Sequence, residues 1–429
     1  MMIDKEEVKL LFDRLWPIHR SITGDGNRKT LEILSEIVPI EIHEVSSGKK
    51  LNGGWVVPKE WRVNHAYLIG PSGSKILDIK DNLLHLLNYS KEYSGKLSLE
   101  ELDKHLFSRS DLPEAIPYVT SYYKERWGFC LPHNLRLSLP KGDYQVEIDT
   151  EMFDGSLTFG EFVIPGKTKK EIFFSSFFCH PMMANNELAG PIVQTLIARE
   201  IMKKGTPYYT YRFVWHPETI GSITYLNLRG KHLIKSVVAG FGFCCVGDGK
   251  KLTYKRSRRH KTLADRIAEF TMKDFSGEKE IRSFKPFDGD ERQYCSPGFN
   301  LPYGCFMHTP PGEYPEYHSS LDNIDLIDFP AVINFISFIL NCCENIEFNQ
   351  TYCRVDPYVE PKLDKFNLWP TLGVGAAGGY EDLNYALLWF LNYADGRDLL
   401  DIAKLSGQPL GLLAKVAKIC EQCGLVKCT

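Results

Sequence analysis

Between residues 170 and 348 the chain alternates continuous apolar runs with stretches of helical period. EIFFSSFF (171–178), YYTYRFVW (208–215) and SVVAGFGFCCVG (236–247) are too uniformly apolar for half-exposed strands. AGPIVQTLIAREIMKKG, GSITYLNLRGKHL and TLADRIAEFTMKDF lie between or after them and carry apolar residues at three- and four-residue spacing. Buried strands separated by helices predict a mostly parallel mixed sheet covered by helices on both faces. Ligands of such sheets bind at the carboxyl ends of the strands.

The flanking regions have other textures. The first forty residues predict a helix, a TGDGN turn, a second helix (28–37) and the strand IEIHEV. From residue 53 to 143 short aromatic strands, a helix over 98–107 and the Tyr- and Trp-dense PYVTSYYKERWGFCLP predict a small inserted β-rich domain. The Pro/Gly-rich passage 357–379 reads as a connector. Beyond it, EDLNYALLWFLNY, RDLLDIAKLS, a GQP turn and LGLLAKVAKICEQCGLVK predict a winged helix-turn-helix. The expected domains are a discontinuous core (1–52 and 144–350), the insert (53–143), and a connector with the winged helix (351–429).

Composition narrows the partners. The 429 residues include 51 Lys plus Arg and 54 Asp plus Glu, a net charge of -3, which gives no electrostatic case for nucleic acid or a membrane surface. Within 381–429 the cations Arg397, Lys404, Lys415, Lys418 and Lys427 are outnumbered by Glu381, Asp382, Asp395, Asp398, Asp401 and Glu421. A DNA-reading module normally carries a positive excess, so the winged helix is expected to contact protein or a second copy of the chain. The N-terminal segment has acidic residues where a secretory signal is basic. The longest apolar stretch, 329–343, is shorter than the ~20 residues of a membrane span. The 12 cysteines are scattered and read as small core residues. Cys420 and Cys423 have helical spacing and lack two further zinc ligands. The expected location is cytoplasmic.

Polar residues gather where the predicted strands end. His180 follows EIFFSSFF, with Asn186 and Glu187 in the next loop; Glu218 follows YYTYRFVW; Asp248 follows the third run; His318 precedes the last core helix. Imidazole and carboxylate at one sheet edge suit zinc with an open position for water. Each alone reads as well as a structural histidine or a helix cap.

In order, CHP, NNELAG, PETIGS, VGD and EYHSSLDNID resemble the zinc aminopeptidases with a paired-metal site. PIHRSITGDGNRKTL, IPYVTSYYKERWGFC and GDERQYCSPGFNLP are similar to a bacterial branch of aminopeptidase-like proteins with an inserted domain and a winged helix, linked to surface polysaccharide synthesis. The resemblance implies one or two zinc ions per chain, with His180 and Asp248 on one and Glu218 and His318 on the other. The family's bridging Asp falls on Asn186, a neutral amide and a poor bridge between cations. Its Asp two residues after the first His falls on Met182, and the first of its paired Glu on Pro217. Two arrangements stay open: Glu218 as ligand with Glu187 or Glu291 as base, or one zinc on His180, Asp248 and His318 with Glu218 as base. A third is a site that binds without turnover.

The resemblance also places GDERQYC in the substrate pocket, where Asp290 and Glu291 would hold a free amino group and Arg292 a carboxylate. Arg256 and Arg258, in the basic run KKLTYKRSRRHK, would steer an anionic substrate. The aromatic insert would stack on sugars or peptides, or form its own core. The reading is a metal-dependent hydrolase that removes an N-terminal amino acid from a peptide or aminoacyl amide. Its rival is a ligand-binding regulatory protein with a degenerate metal site.

Overall fold

The computed structural model describes residues 3–287, 289–368 and 382–429. It divides into two units, 1–338 and 339–429. The first is built on an eight-stranded mixed sheet in the order Glu41–Ser46, Ser156–Ile164, Thr210–His216, Glu171–Phe177, Val237–Phe243, Tyr303–Met307, Leu252–Lys255, Lys279–Arg282. The four strands from Thr210–His216 to Tyr303–Met307 run parallel. Glu41–Ser46 and Ser156–Ile164 are antiparallel at one side, and Leu252–Lys255 runs antiparallel to Tyr303–Met307 at the other.

Burial of both faces explains the uninterrupted apolar runs. Every residue of Glu171–Phe177 is buried. Phe173 meets Tyr225, Tyr294 and Tyr303, while its neighbour Phe174 stacks among Phe213, Phe241 and Phe243. Successive side chains point to opposite faces of a strand, so these two rings anchor separate layers. Each contributes ~1.5–3 kcal/mol by burial. Tyr225 lies on the helix Ile220–Ser236; on the other face Phe243 packs edge-on against Phe335 of the helix Phe329–Phe348. That helix has 20 residues, more than the apolar stretch in the sequence suggests, and by length and hydropathy meets the requirement for a membrane span. Val332, Phe335 and Ile336 are nevertheless buried within the protein.

The insert forms a four-stranded antiparallel sheet, Lys75–Asp78, Glu60–Ile69, Asp143–Phe153, Tyr93–Ser98. The boundary expected at 143/144 falls at the start of Asp143–Phe153, which pairs in this sheet before the chain rejoins the core at Ser156. The helix expected over 98–107 stops at Asp103, and Leu106–Phe107 becomes a short strand paired with Phe129–Cys130. The expected TGDGN turn instead opens the helix Asp25–Ser35. Gly24 takes φ 117°, and a Cβ there would lie 2.6 Å from the Trp61 carbonyl oxygen, so only glycine fits.

The second unit contains a three-stranded antiparallel sheet, Asp395–Asp398, Thr351–Arg354, Val426–Cys428, with the helices Asp382–Tyr393, Leu399–Ser406 and Leu410–Gln422. Asp398 caps the middle helix by accepting from the Asp401 amide at 3.0 Å, and Gly407, at φ 71°, ends it. This is a winged helix. Cys420 is buried on the last helix and all 12 cysteines are free thiols. Of the expected connector, residues 369–379 lie outside the described residues.

Candidate active site

Strand order reverses beside Glu171–Phe177, which has the later strands Thr210–His216 on one side and Val237–Phe243 on the other. A crevice at the carboxyl ends is the geometric consequence. Here it is a cleft of about 350 Å³ lined by Cys179, His180, Glu218, Thr219, Arg292 and His318, with an aromatic wall from the insert. The wall is fixed by backbone pairing: the Tyr118 amide donates to the His318 carbonyl at 2.8 Å, and the Ser320 amide to the Ile116 carbonyl at 2.8 Å.

Four non-glycine residues at this edge adopt positive φ: Met182 (48°), Thr219 (61°), Cys245 (50°) and His318 (53°). Such conformations are costly for residues with a Cβ and persist where surrounding contacts hold them. For Thr219, its amide and the Ser222 hydroxyl both donate to Asp290 Oδ1, at 2.8 and 2.7 Å, and Arg292 Nη2 donates to its hydroxyl at 2.9 Å. The turn thus held carries Glu218 into the cleft.

His180 is oriented from behind. Its Nδ1 lies 2.6 Å from Glu187 Oε2, and its amide donates to Glu187 Oε1 at 2.7 Å. Glu187 is buried and pairs with buried Arg20 at 3.6 Å, while Arg20 Nη2 donates to the His180 carbonyl at 3.0 Å. Burial opposes protonation of His180, but the Glu187 carboxylate outweighs it and the pKa lies above the ordinary value. The same partner draws the ring proton to Nδ1, leaving Nε2 toward the cleft and 3.8 Å from Glu218 Oε2.

His318 sits across from it, ring centroids 5.2 Å apart, stacked on Tyr317 at 3.9 Å. Its Nε2 is buried with no hydrogen-bond partner. Burial, then the charges of His180 and Arg109, push its pKa well below the ordinary value, which favours the neutral imidazole. Glu218 keeps 30% of its side chain exposed. Its enclosure pushes its carboxyl up to about 7, against His180, with Asp290 raising it, Arg292 lowering it and Glu187 raising it again. Two imidazoles and a carboxylate in one cleft are a zinc-type donor set, and His318 Nε2 is left without a partner. Among the described residues, the ligand atoms that lie within 4.8 Å of one another are those of Cys179, His180 and Glu187.

The other residues singled out in the sequence lie elsewhere, each for a visible reason. Cys244 and Cys245 take the positions next to the strand end, so Asp248 falls beyond the cleft, 3.8 Å from His308 Nδ1. Asn186 is buried, its Oδ1 3.6 Å from Cys244 Sγ. Asp290 holds the Thr219 turn, and Glu291 forms a buried ion pair with Lys255. Arg256 pairs with Glu269 and Arg258 with Asn300, and neither lines the cleft.

Sequence reasoning assigned no role to Arg20, Tyr118, Tyr122 or Asp322. Asp322 accepts from the amides of Ala184, Asn185 and Asn186 at 3.1, 2.6 and 3.0 Å and from the Tyr314 hydroxyl at 2.9 Å. It thereby shapes the wide helical turn Ala184–Leu188 that places Glu187 behind His180. The Tyr118 and Tyr122 hydroxyls lie 2.9 Å apart on the cleft wall. Aromatic density in PYVTSYYKERWGFCLP was the signal for them; Arg20 and Asp322 stand in PIHRSITGDGNRKTL and EYHSSLDNID, the segments that carry the family resemblance.

Residues 9–349 match a family described as a domain of unknown function, DUF4910, and residues 350–428 match a winged helix-turn-helix family. The chain belongs to the DUF4910 family. A Clostridium acetobutylicum protein, named provisionally a polysaccharide biosynthesis protein with an aminopeptidase-like domain, is 40% identical over 402 residues, 94% of this chain and 91% of its own. A crystal structure from the same organism, described provisionally as a peptidase, superposes with a TM-score of 0.90 at 38% identity, covering 99% of this chain and 96% of that one. The zinc aminopeptidase of Bacillus subtilis shares the fold at a TM-score of 0.56 and 12% identity, over 79% of this chain and 95% of its own. An aminopeptidase from Aneurinibacillus sp. strain AM-1 does so at 0.51 and 15%, over 80% and 93%. Fold and names together support a peptidase-like hydrolase family.

Proposed function

We propose that the cleft hydrolyses an amide bond with one zinc ion held by His180, His318 and Glu218. The observation that carries this reading is that His180, with Nε2 3.8 Å from Glu218 Oε2, Glu218 itself and His318, with its unpartnered Nε2, line one small cleft at the sheet's carboxyl edge. Bound there, zinc would polarise the scissile carbonyl and activate water. Two histidines and one carboxylate are a known catalytic ligand set, and Glu187 behind His180 is the outer carboxylate such sites use. Burial raises the pKa values of the Tyr118 and Tyr122 hydroxyls far above the ordinary, so both stay protonated. Tyr122 donates to Asn88 Oδ1 at 3.0 Å, and Tyr118, 2.9 Å from the Tyr122 hydroxyl, can turn its proton to an oxygen that gains charge. The enclosed volume suits the end of a peptide or an aminoacyl amide.

One observation favours the rival reading, a metal-dependent binding site without turnover. Glu187 and Glu291 are committed to internal partners and Asp290 holds the Thr219 turn, so among the described residues Glu218 is the one carboxylate lining the cleft and no second one stands there as base. Turnover separates the two. Zinc-loaded protein is expected to cleave aminoacyl anilides or amides in a chelator-sensitive way, with activity lost in His318→Ala. No cleavage by a zinc-loaded, folded protein supports the binding site instead.

A further inference from the structure

The cleft contains one guanidinium, and it lacks the partner that the other buried or half-buried arginines around it possess. Arg20 pairs with Glu187 and Arg109 with Asp111. Arg292 has no salt bridge among the described residues. Nη2 donates to the Thr219 hydroxyl at 2.9 Å, Nε is buried with no hydrogen-bond partner, and the group lines the cleft beside Glu218 and Thr219. The carboxylates that might have met a substrate ammonium, Glu187, Asp290 and Glu291, are buried and engaged. The charges left for a ligand are therefore those of the metal site and one forked cation.

We infer that Arg292 binds a carboxylate of the substrate, so that the amide presented to this cleft bears a carboxylate close to the scissile bond. This rests on the hydrolase reading for what happens to the amide, but not for the binding itself. A guanidinium matches a carboxylate's two oxygens with two parallel donors. Arg292 is also well placed in chain order: its donor contact is to Thr219, the residue after Glu218, so the carboxylate site and the metal ligand share one strained turn. Trp55 and Tyr123, edge to face at 6.0 Å on the same cleft, offer apolar rings to the rest of the substrate.

The test is a calorimetric titration of the zinc-loaded full chain with a matched pair, N-acetyl-L-phenylalanine and N-acetyl-L-phenylalaninamide. The acid is expected to bind about tenfold tighter or more, as a charge-assisted bond to one side chain allows. Arg292→Gln is expected to bring the pair to within about twofold, and Arg292→Lys, a point charge without the fork, to keep part of the preference. Equal affinities in the wild type overturn the inference, as does binding of neither probe. A preference that survives in Arg292→Gln overturns it too, since the zinc itself would then be the anion's partner. Should Arg292→Gln not fold, the wild-type comparison and Arg292→Lys decide. A carboxylate preference with no turnover of any amide keeps Arg292 and overturns the hydrolase reading. Turnover of acidic and neutral amides with equal KM does the reverse.

Discussion

His180 Nδ1 and Glu187 Oε2 lie 2.6 Å apart in a fully buried pair. The contact fixes which imidazole nitrogen faces the cleft, and Glu187 is in turn held by Arg20, which reaches over from the N-terminal segment. An outer carboxylate of this kind commonly adds one to two orders of magnitude to metal affinity. Glu187→Gln is therefore expected to weaken zinc binding ~10–100-fold, read by chelator competition. Unchanged affinity would mean that His180 is not a ligand through Nε2.

Glu187→Ala has a second consequence. It strands the Arg20 guanidinium, whose side chain is 0% exposed. Leaving a buried charge without its partner typically costs ~3–5 kcal/mol. Denaturant unfolding should show a loss of that order, and Glu187→Gln, which keeps a polar partner for Arg20, a smaller one. Equal losses in the two variants would contradict the assignment.

Asp290 supports the Glu218 turn. Its Oδ1 accepts from the Thr219 amide and the Ser222 hydroxyl, and each bond from a buried charged acceptor is worth ~1.5–3 kcal/mol at most. Asp290→Ala is expected to destabilise the protein by ~2–4 kcal/mol and to lower zinc occupancy through Glu218. Retention of full occupancy with only the stability loss would detach Asp290 from the site.

Asp322 gives a pH-dependent signature. Burial pushes its carboxyl up to about 6, against the amides of Asn186, Asn185 and Ala184 and the Tyr314 hydroxyl. The folded protein thus binds a proton that the unfolded chain, near its ordinary value, releases. That proton's contribution is present at low pH and fades as pH rises from about 4 to about 6. The stability of the wild type minus that of Asp322→Asn should fall across this window by roughly 3 kcal/mol, about two pH units' worth. A flat or rising difference would show that Asp322 is not held in this way.

The large sheet was legible because its strands are buried on both faces, so Glu171–Phe177 and Val237–Phe243 read as apolar runs whose following loops mark the cleft. That His180 and Glu218 line the cleft was legible for that reason. Asp248 stands in the same kind of position in sequence, yet Cys244 and Cys245 come between it and the strand end. Local spacing does not register such a displacement. The carboxylates near the cleft were opaque for another reason. Whether Glu187 and Glu291 face a ligand or a buried cation depends on Arg20 and Lys255, which are remote in sequence and brought alongside only by the tertiary fold. The inserted wall was visible as aromatic density, but its place over His180 and His318 is set by backbone pairing of Tyr118 with His318.

The central claim is that His180, Glu218 and His318 hold one zinc ion. Its most direct test is the metal content of purified full-length protein after zinc loading and desalting, for the wild type and for His180→Ala, Glu218→Gln and His318→Ala. The account predicts about one zinc per chain in the wild type, in keeping with a three-ligand site, and loss of it in all three variants, with Asp248→Asn retaining it. A wild type without zinc, or retention in His318→Ala together with loss in Asp248→Asn, would contradict it.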